Sequence, residues 1–220
     1  PAEAHKEAFE YAHKHFLKRT VHAGEAYGPE SIFQAITDLH ADRIGHGTYL
    51  LEADQIQDPD IEDREHYVDM LGNYIADRRI TLEVCLTSNL QTNPHLKFLD
   101  DHTFRKLRAK RLSTTLCTDN RLMSNTTVTN ELALAVKHLG LDRHDLKSII
   151  IYGFKRSFYP GSYLNKRQYV RQVIDHYEAV ERRFGLHINE GYGLTEASPV
   201  VTSSVETGAP FGSIGMPVAG

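Results

Sequence analysis

The sequence predicts an α/β chain of parallel βα units: an incomplete (β/α)8 barrel with four of its eight units, then helices and a short irregular tail. Three observations lead there. Four short strand-like runs turn polar at their C-terminal ends, and each is followed by a helical pattern: Arg19 to Glu25 (RTVHAGE), Arg43 to Gly47 (RIGHG), Ile80 to Asn89 (ITLEVCLTSN) and Ser113 to Asn120 (STTLCTDN). These units occupy residues 19 to about 140, whereas a complete barrel takes about 250 residues and eight strands. From Gly185 onward, helical and charged sequence gives way to glycine, serine, threonine and proline. The predicted division is therefore a half-barrel over 1–184 and a tail over 185–220.

The elements follow in order. Glu3 to Lys18 has an amphipathic helical pattern, with Ala8, Tyr11, Ala12 and Phe16 on one face. His13 and His15 lie two apart within it, so their imidazoles diverge and are not expected to share a metal. After RTVHAGE, a helix is expected over Pro29 to Leu39 with proline in its first turn. Then come a very short strand at RIGHG, an acidic loop over Glu52 to Arg64, and a helix from about His66 to Arg78. ITLEVC is the clearest strand. Asn93-Pro94 is expected to start a short helical turn, and a helix should run from about Thr103 to Lys110. LSTTLCT gives the fourth strand. Helices are expected over Val128 to Leu139, Arg143 to Phe154 and Tyr163 to Phe184, the last stopped by Gly185.

Composition narrows the function classes. Of 220 residues, 40% are hydrophobic and 25% charged, the balance of a soluble globular protein. A formal net charge of −4 leaves no basic surplus for nucleic acid. No apolar run reaches the roughly 18 residues of a membrane span, so no membrane partner is expected. Cys85 and Cys117 sit in apolar runs without C-x-x-C spacing, which fits small hydrophobes in a reducing, cytoplasmic setting. Thirteen histidines are many for this length, so position must decide which of them matter.

In parallel α/β folds, function gathers at the C-terminal ends of the strands. Three of those ends carry His22, Glu25, His46 and Asp119. Histidine and aspartate suit a borderline cation such as zinc, which lowers the pKa of its water towards about 7. A second histidine can then orient or deprotonate the water, and a glutamate can deliver a proton to the substrate. Taken singly, each residue has an ordinary explanation: a hydrogen-bonded core histidine, or a capping aspartate. Capping does not call for all four at successive strand ends.

These motifs, TVHAGE, RIGHG, LEVCLTSN and TLCTDN in this order, resemble the C-terminal half of the adenosine deaminase family over residues 3 to about 184. That family comprises zinc-dependent aminohydrolases on a (β/α)8 barrel. The resemblance implies that His22 and Asp119 are metal ligands and that Glu25 protonates the purine ring. It implies that His46 stands beside the attacking hydroxide and that Asn120 faces a purine ring nitrogen. The implied reaction is hydrolytic deamination of a 6-aminopurine nucleoside, with zinc as cofactor. Several departures stand out. The H-x-H strand that supplies two further zinc ligands and the strand-four glycine have no counterpart here. Asp119-Asn120 replaces a pair of aspartates, and Leu86 stands where proline is common. An isolated chain with two protein ligands is expected to bind zinc weakly and to deaminate negligibly.

Two readings from other classes remain. A four-stranded half-barrel has two open edges, which self-association, an N-terminal half or the tail could cover, giving a non-catalytic or partner-dependent protein. The tail, GYGLTEASP (Gly191 to Pro199) with GSIGMPVAG behind it, resembles the adenylate-binding motif of AMP-forming acyl-CoA synthetases. That resemblance would make Tyr192, Thr195 and Glu196 contacts to adenine, phosphate and magnesium. It covers only about 35 residues and lacks the phosphate loop.

Overall fold

The computed structural model describes residues 3–184 and three two-residue strands beyond them, at 191–192, 202–203 and 216–217. The chain divides into two compact units, Pro1–Lys166 and Arg167–Gly220.

The first unit is built on a four-stranded sheet of β1 (Thr20–Ala23), β2 (Arg43–His46), β3 (Thr81–Val84) and β4 (Thr114–Leu116). Neighbours in sequence are neighbours in the sheet, and every pair is parallel. This is half of a (β/α)8 barrel, as the alternation of short strands and helices predicts. β1 and β4 are its edges. Ile44, Leu82, Val84 and Leu116 of the strands pack with Ile32 and Ala35 of α2 (Pro29–Thr37), and with Leu71 and Ile75 of α3 (Arg64–Arg78). The same core takes in Phe104 and Leu107 of α5 (Phe104–Ala109), Ala135 and Leu139 of α7 (Val128–Leu139), and Ile149 of α8 (Arg143–Lys155). Burying these side chains supplies the main driving force for the layered arrangement.

The caps explain where helices begin. Pro29 sits in the first turn of α2. Asp63 accepts from the His66 amide, which starts α3 two residues before the expected position. Thr127 caps α7, and Asp142 forms a reciprocal capping box with Asp145 at α8.

Three expectations need correction. α1 spans Lys6–Lys14 after a 3-10 turn at Glu3–His5, and among the described residues it buries no side chain. The helix ends before Phe16, which has a left-handed backbone, and the expected apolar face is open, with Tyr11 61% and Phe16 92% exposed. ITLEVCLTSN does not run extended to its end. The strand stops at Val84 and α4 (Leu86–Thr92) follows; the expected turn at Asn93-Pro94 comes directly after it, with the His95 amide donating to Oδ1 of Asn93 and the Leu96 amide to the Asn93 carbonyl. The cause lies far along the chain. Glu131 of α7 is fully buried and accepts from both the backbone N–H and the hydroxyl of Thr87, placing a carboxylate at the start of α4. The third is α6 (Arg121–Ser124), unexpected from sequence, which Asn120 caps by accepting from the Leu122 and Met123 amides.

Helix α9 (Tyr163–Arg183) belongs to the second unit from Arg167 onward, and in that unit β5 (Gly191–Tyr192), β6 (Thr202–Ser203) and β7 (Met216–Pro217) form an antiparallel sheet. The expected stop at Gly185 lies outside the described residues. Among the described residues, no helix is long and apolar enough to cross a membrane.

Candidate active site

The C-terminal ends of β1, β2 and β4 bring the chosen residues together. His22 pairs across the sheet with Gly45. A Cβ on Gly45 would stand 3.1 Å from Cδ2 of His22, so glycine there lets the imidazole lie flat over the neighbouring strand. His46 ends β2 at φ +66°, and Asp119 follows β4 at φ +54°. Such left-handed positions cost of order 1–3 kcal/mol for residues with a Cβ, and they persist where the surroundings hold them. Here the turns aim both side chains into one cleft. The ring centroids of His22 and His46 are 5.1 Å apart. One potential ligand atom each from His22, His46 and Asp119 lies within 4.8 Å of the others. Two ligands about 2.1 Å from zinc reach about 4 Å apart at most, so the His22 and Asp119 atoms, within 4.8 Å of each other, need only a small contraction to hold the ion.

Partners fix Glu25, Asp119 and His46. Oε2 of Glu25 lies 3.3 Å from Nε2 of His46, and its Oε1 accepts from the Thr92 hydroxyl at 3.0 Å. The Ser88 hydroxyl donates to Oδ2 of Asp119 at 2.8 Å. Nδ1 of His46 is 3.1 Å from the amide nitrogen of Asn89, whose oxygen is 3.3 Å from Nε2 of His102. The backbone N–H of Phe104 donates to Nδ1 of His102 at 3.0 Å. Burial pushes the His46 imidazole below its usual value, against the pull of the Glu25 carboxylate, and the nearby His22 adds to the lowering. Burial alone takes His102 down to about 4.

His22, Glu25, His46 and Asp119, drawn from three stretches of the chain, therefore share one cleft. Asn120 is adjacent; its side-chain oxygen is engaged as the cap of α6, which leaves Nδ2 as the donor. Leu86 is the first residue of α4, a position where proline is equally at home. His13 stacks on His40 and His15 on Tyr11, with centroids 4.1 and 4.0 Å apart, so the H-x-H pair points two ways. Both cysteines are free; burial raises the Cys85 thiol and pushes Cys117 up to about 11, the behaviour of packed hydrophobes. Thr195, Glu196 and the side chain of Tyr192 lie outside the described residues.

Sequence reasoning assigned no role to Ser88, Asn89, Thr92 or His102. The first three carry a legible signal: polar residues spaced i, i+1 and i+4 directly after an apolar strand share one side of a helical turn. Nothing in the sequence separates His102 from the other histidines.

The family model described as adenosine deaminase matches residues 1–177. The chain is 38% identical over 160 residues to the adenosine deaminase of Mycobacterium avium, covering 73% of this chain and 43% of that protein. It is 37% identical over 166 residues to that of Clostridium kluyveri, covering 76% and 43%. The solved structure of an Arabidopsis N6-mAMP deaminase superposes with a TM-score of 0.59 at 29% identity, over 78% of this chain and 45% of that one. An adenine deaminase from Arthrobacter aurescens superposes with a TM-score of 0.64 at 22% identity over 79% and 47%, a likeness of fold. The chain thus spans less than half the length of these relatives. The tail beyond residue 177 is outside the family match, and nothing in these likenesses supports an acyl-CoA synthetase. With four parallel βα units, a shared cleft at their C-terminal ends and this match over most of its length, the chain belongs to the adenosine deaminase family.

Proposed function

We propose that the chain supplies the second half of the catalytic centre of a cytoplasmic, zinc-dependent deaminase that converts a 6-aminopurine nucleoside to its 6-oxo product and ammonia. The observation that carries this is the meeting of His22, His46 and Asp119 within 4.8 Å, with Glu25 against His46. His22 and Asp119 are the ligands; Ser88 holds one oxygen of Asp119 and so aims the other. Zinc, when bound, makes hydroxide available at neutral pH by lowering the pKa of its water towards about 7. Glu25, anchored through Oε1 by Thr92, presents Oε2 to the cleft and delivers a proton to the purine ring as the ring takes up negative charge. His46 stands over the attacking oxygen and stabilises it. Asn120 donates Nδ2 to a ring nitrogen of the base.

A catalytic zinc site takes at least three protein ligands, and this cleft offers two beside His46. The chain by itself is therefore expected to release no ammonia from adenosine above a His22→Ala control. The edges β1 and β4 are where an N-terminal half or a second copy completes the sheet. The structural relatives include an Arabidopsis N6-methyl-AMP deaminase and Arabidopsis ADAL in complex with IMP, so a nucleotide form of the same base is the natural second substrate to assay.

The test is to join the N-terminal half of the Mycobacterium avium adenosine deaminase to Pro1. Zinc-dependent release of ammonia from adenosine, lowered at least about 100-fold by Glu25→Gln, is the expected result. A joined protein that folds and binds zinc yet leaves adenosine and AMP intact overturns the proposal.

A further inference from the structure

His102 is only 3% exposed, Asn89 is fully buried, and neither has a part in the proposed reaction. They form a file of hydrogen-bonding groups that ends on His46. One end of that file is a backbone N–H, a group that can only donate.

The direction of every hydrogen follows from that end. The Phe104 amide donates to Nδ1 of His102, so Nδ1 is bare and the hydrogen of the neutral ring is on Nε2. Nε2–H of His102 then meets an acceptor, which must be the oxygen of Asn89, 3.3 Å away. This settles the orientation of the Asn89 amide, because the flipped amide would set N–H against N–H. Its nitrogen is left facing Nδ1 of His46 at 3.1 Å and donates to it. Nδ1 of His46 is thereby an acceptor, and its hydrogen resides on Nε2, 3.3 Å from the Glu25 carboxylate.

We infer that Asn89 and His102 are positioning residues that hold His46 as the Nε2–H tautomer, so that it faces the cleft as a hydrogen-bond donor and not as a metal ligand. Its Nδ1 lone pair is taken by Asn89, and its Nε2 has none to offer a cation. Of the three groups that meet within 4.8 Å, His22 and Asp119 then keep atoms that could hold a cation, and His46 faces them as a donor. Burial supports the neutral start of the file by taking His102 down to about 4. The inference goes beyond the proposed reaction and does not rest on it, since neither metal nor purine enters the argument.

The test reads tautomers directly. The 220-residue chain, ¹⁵N-labelled at histidine and free of metal, is examined by long-range ¹H–¹⁵N correlation at about pH 8, above the ordinary histidine value. Loss of signals in His46→Gln and His102→Gln assigns the two rings. Both are expected to show a protonated Nε2 and a bare Nδ1, without averaging. In Asn89→Asp the side chain becomes acceptor-only, so Nδ1 of His46 is expected to become protonated while His102 keeps its hydrogen on Nε2. A general loss of packing would average both rings and could not move one alone. A wild-type His46 that is bare at Nε2 or averaged between tautomers overturns the inference, as does an Asn89→Asp chain whose His46 Nδ1 stays bare. Should that variant not fold, the wild-type spectrum decides by itself.

Discussion

The Ser88 hydroxyl donates to Oδ2 of Asp119 at 2.8 Å, tying the first turn of α4 to the loop after β4. Asp119 has a left-handed backbone, and this bond fixes the orientation of its carboxylate. Groups that orient a metal ligand in this way typically contribute 10–100-fold to affinity. Ser88→Ala should therefore lower zinc affinity about 10-fold, measured by competition with a chelating dye, while leaving thermal unfolding within a few degrees of the parent.

Acid sensitivity should trace in part to His102. Its folded-state pKa is lowered to about 4 from an ordinary 6.5, so between those values the unfolded chain binds the extra proton and the folded chain does not. Stability then rises with pH across that window and is lost as pH falls from 6.5 towards 4. The full difference is about 3 kcal/mol for one such group. Urea unfolding of the parent and of His102→Gln at several pH values should show a shallower decline in the variant. Parallel curves would remove His102 as the cause.

A partly buried ion pair between β2 and β3 sets a stability prediction. Nε of Arg43 sits 2.6 Å from Oε1 of Glu83, an ion pair rather than an aligned hydrogen bond, and Oε2 of Glu83 accepts from Thr20. The Arg43 side chain is 10% exposed, so Glu83→Ala leaves a charge with little access to water. We expect a loss of about 3 kcal/mol in chemical denaturation. The double change Arg43→Met with Glu83→Leu should lose less than the single one.

Among the described residues, no further strand pairs with the outer edges of β1 and β4. At micromolar concentration the chain should elute above monomer mass in size exclusion with light scattering, and an added N-terminal half should reduce that association. A clean monomer would count against edge pairing.

Much of this was legible in the sequence because strand-then-polar runs followed by helical periodicity leave few alternatives to parallel βα units. His22, Glu25, His46 and Asp119 could be chosen because strand ends are where such units collect chemistry. The helix at Leu86–Thr92 was not legible, since the Thr87 contacts that start it come from Glu131, 44 residues on. The role of His102 was hidden for a like reason: its meaning lies in a file of partners, Phe104 N–H, Asn89 and His46, that only the fold assembles. The exposed stripe of α1 shows the converse limit, because periodicity tells which face is apolar and not whether anything covers it.

The most direct measurement is a calorimetric titration of zinc into the parent chain and into His22→Ala and Asp119→Ala. Weak one-to-one binding, lowered at least about 10-fold by either substitution, is the expected result. An isotherm unchanged by both substitutions would contradict a metal site in this cleft.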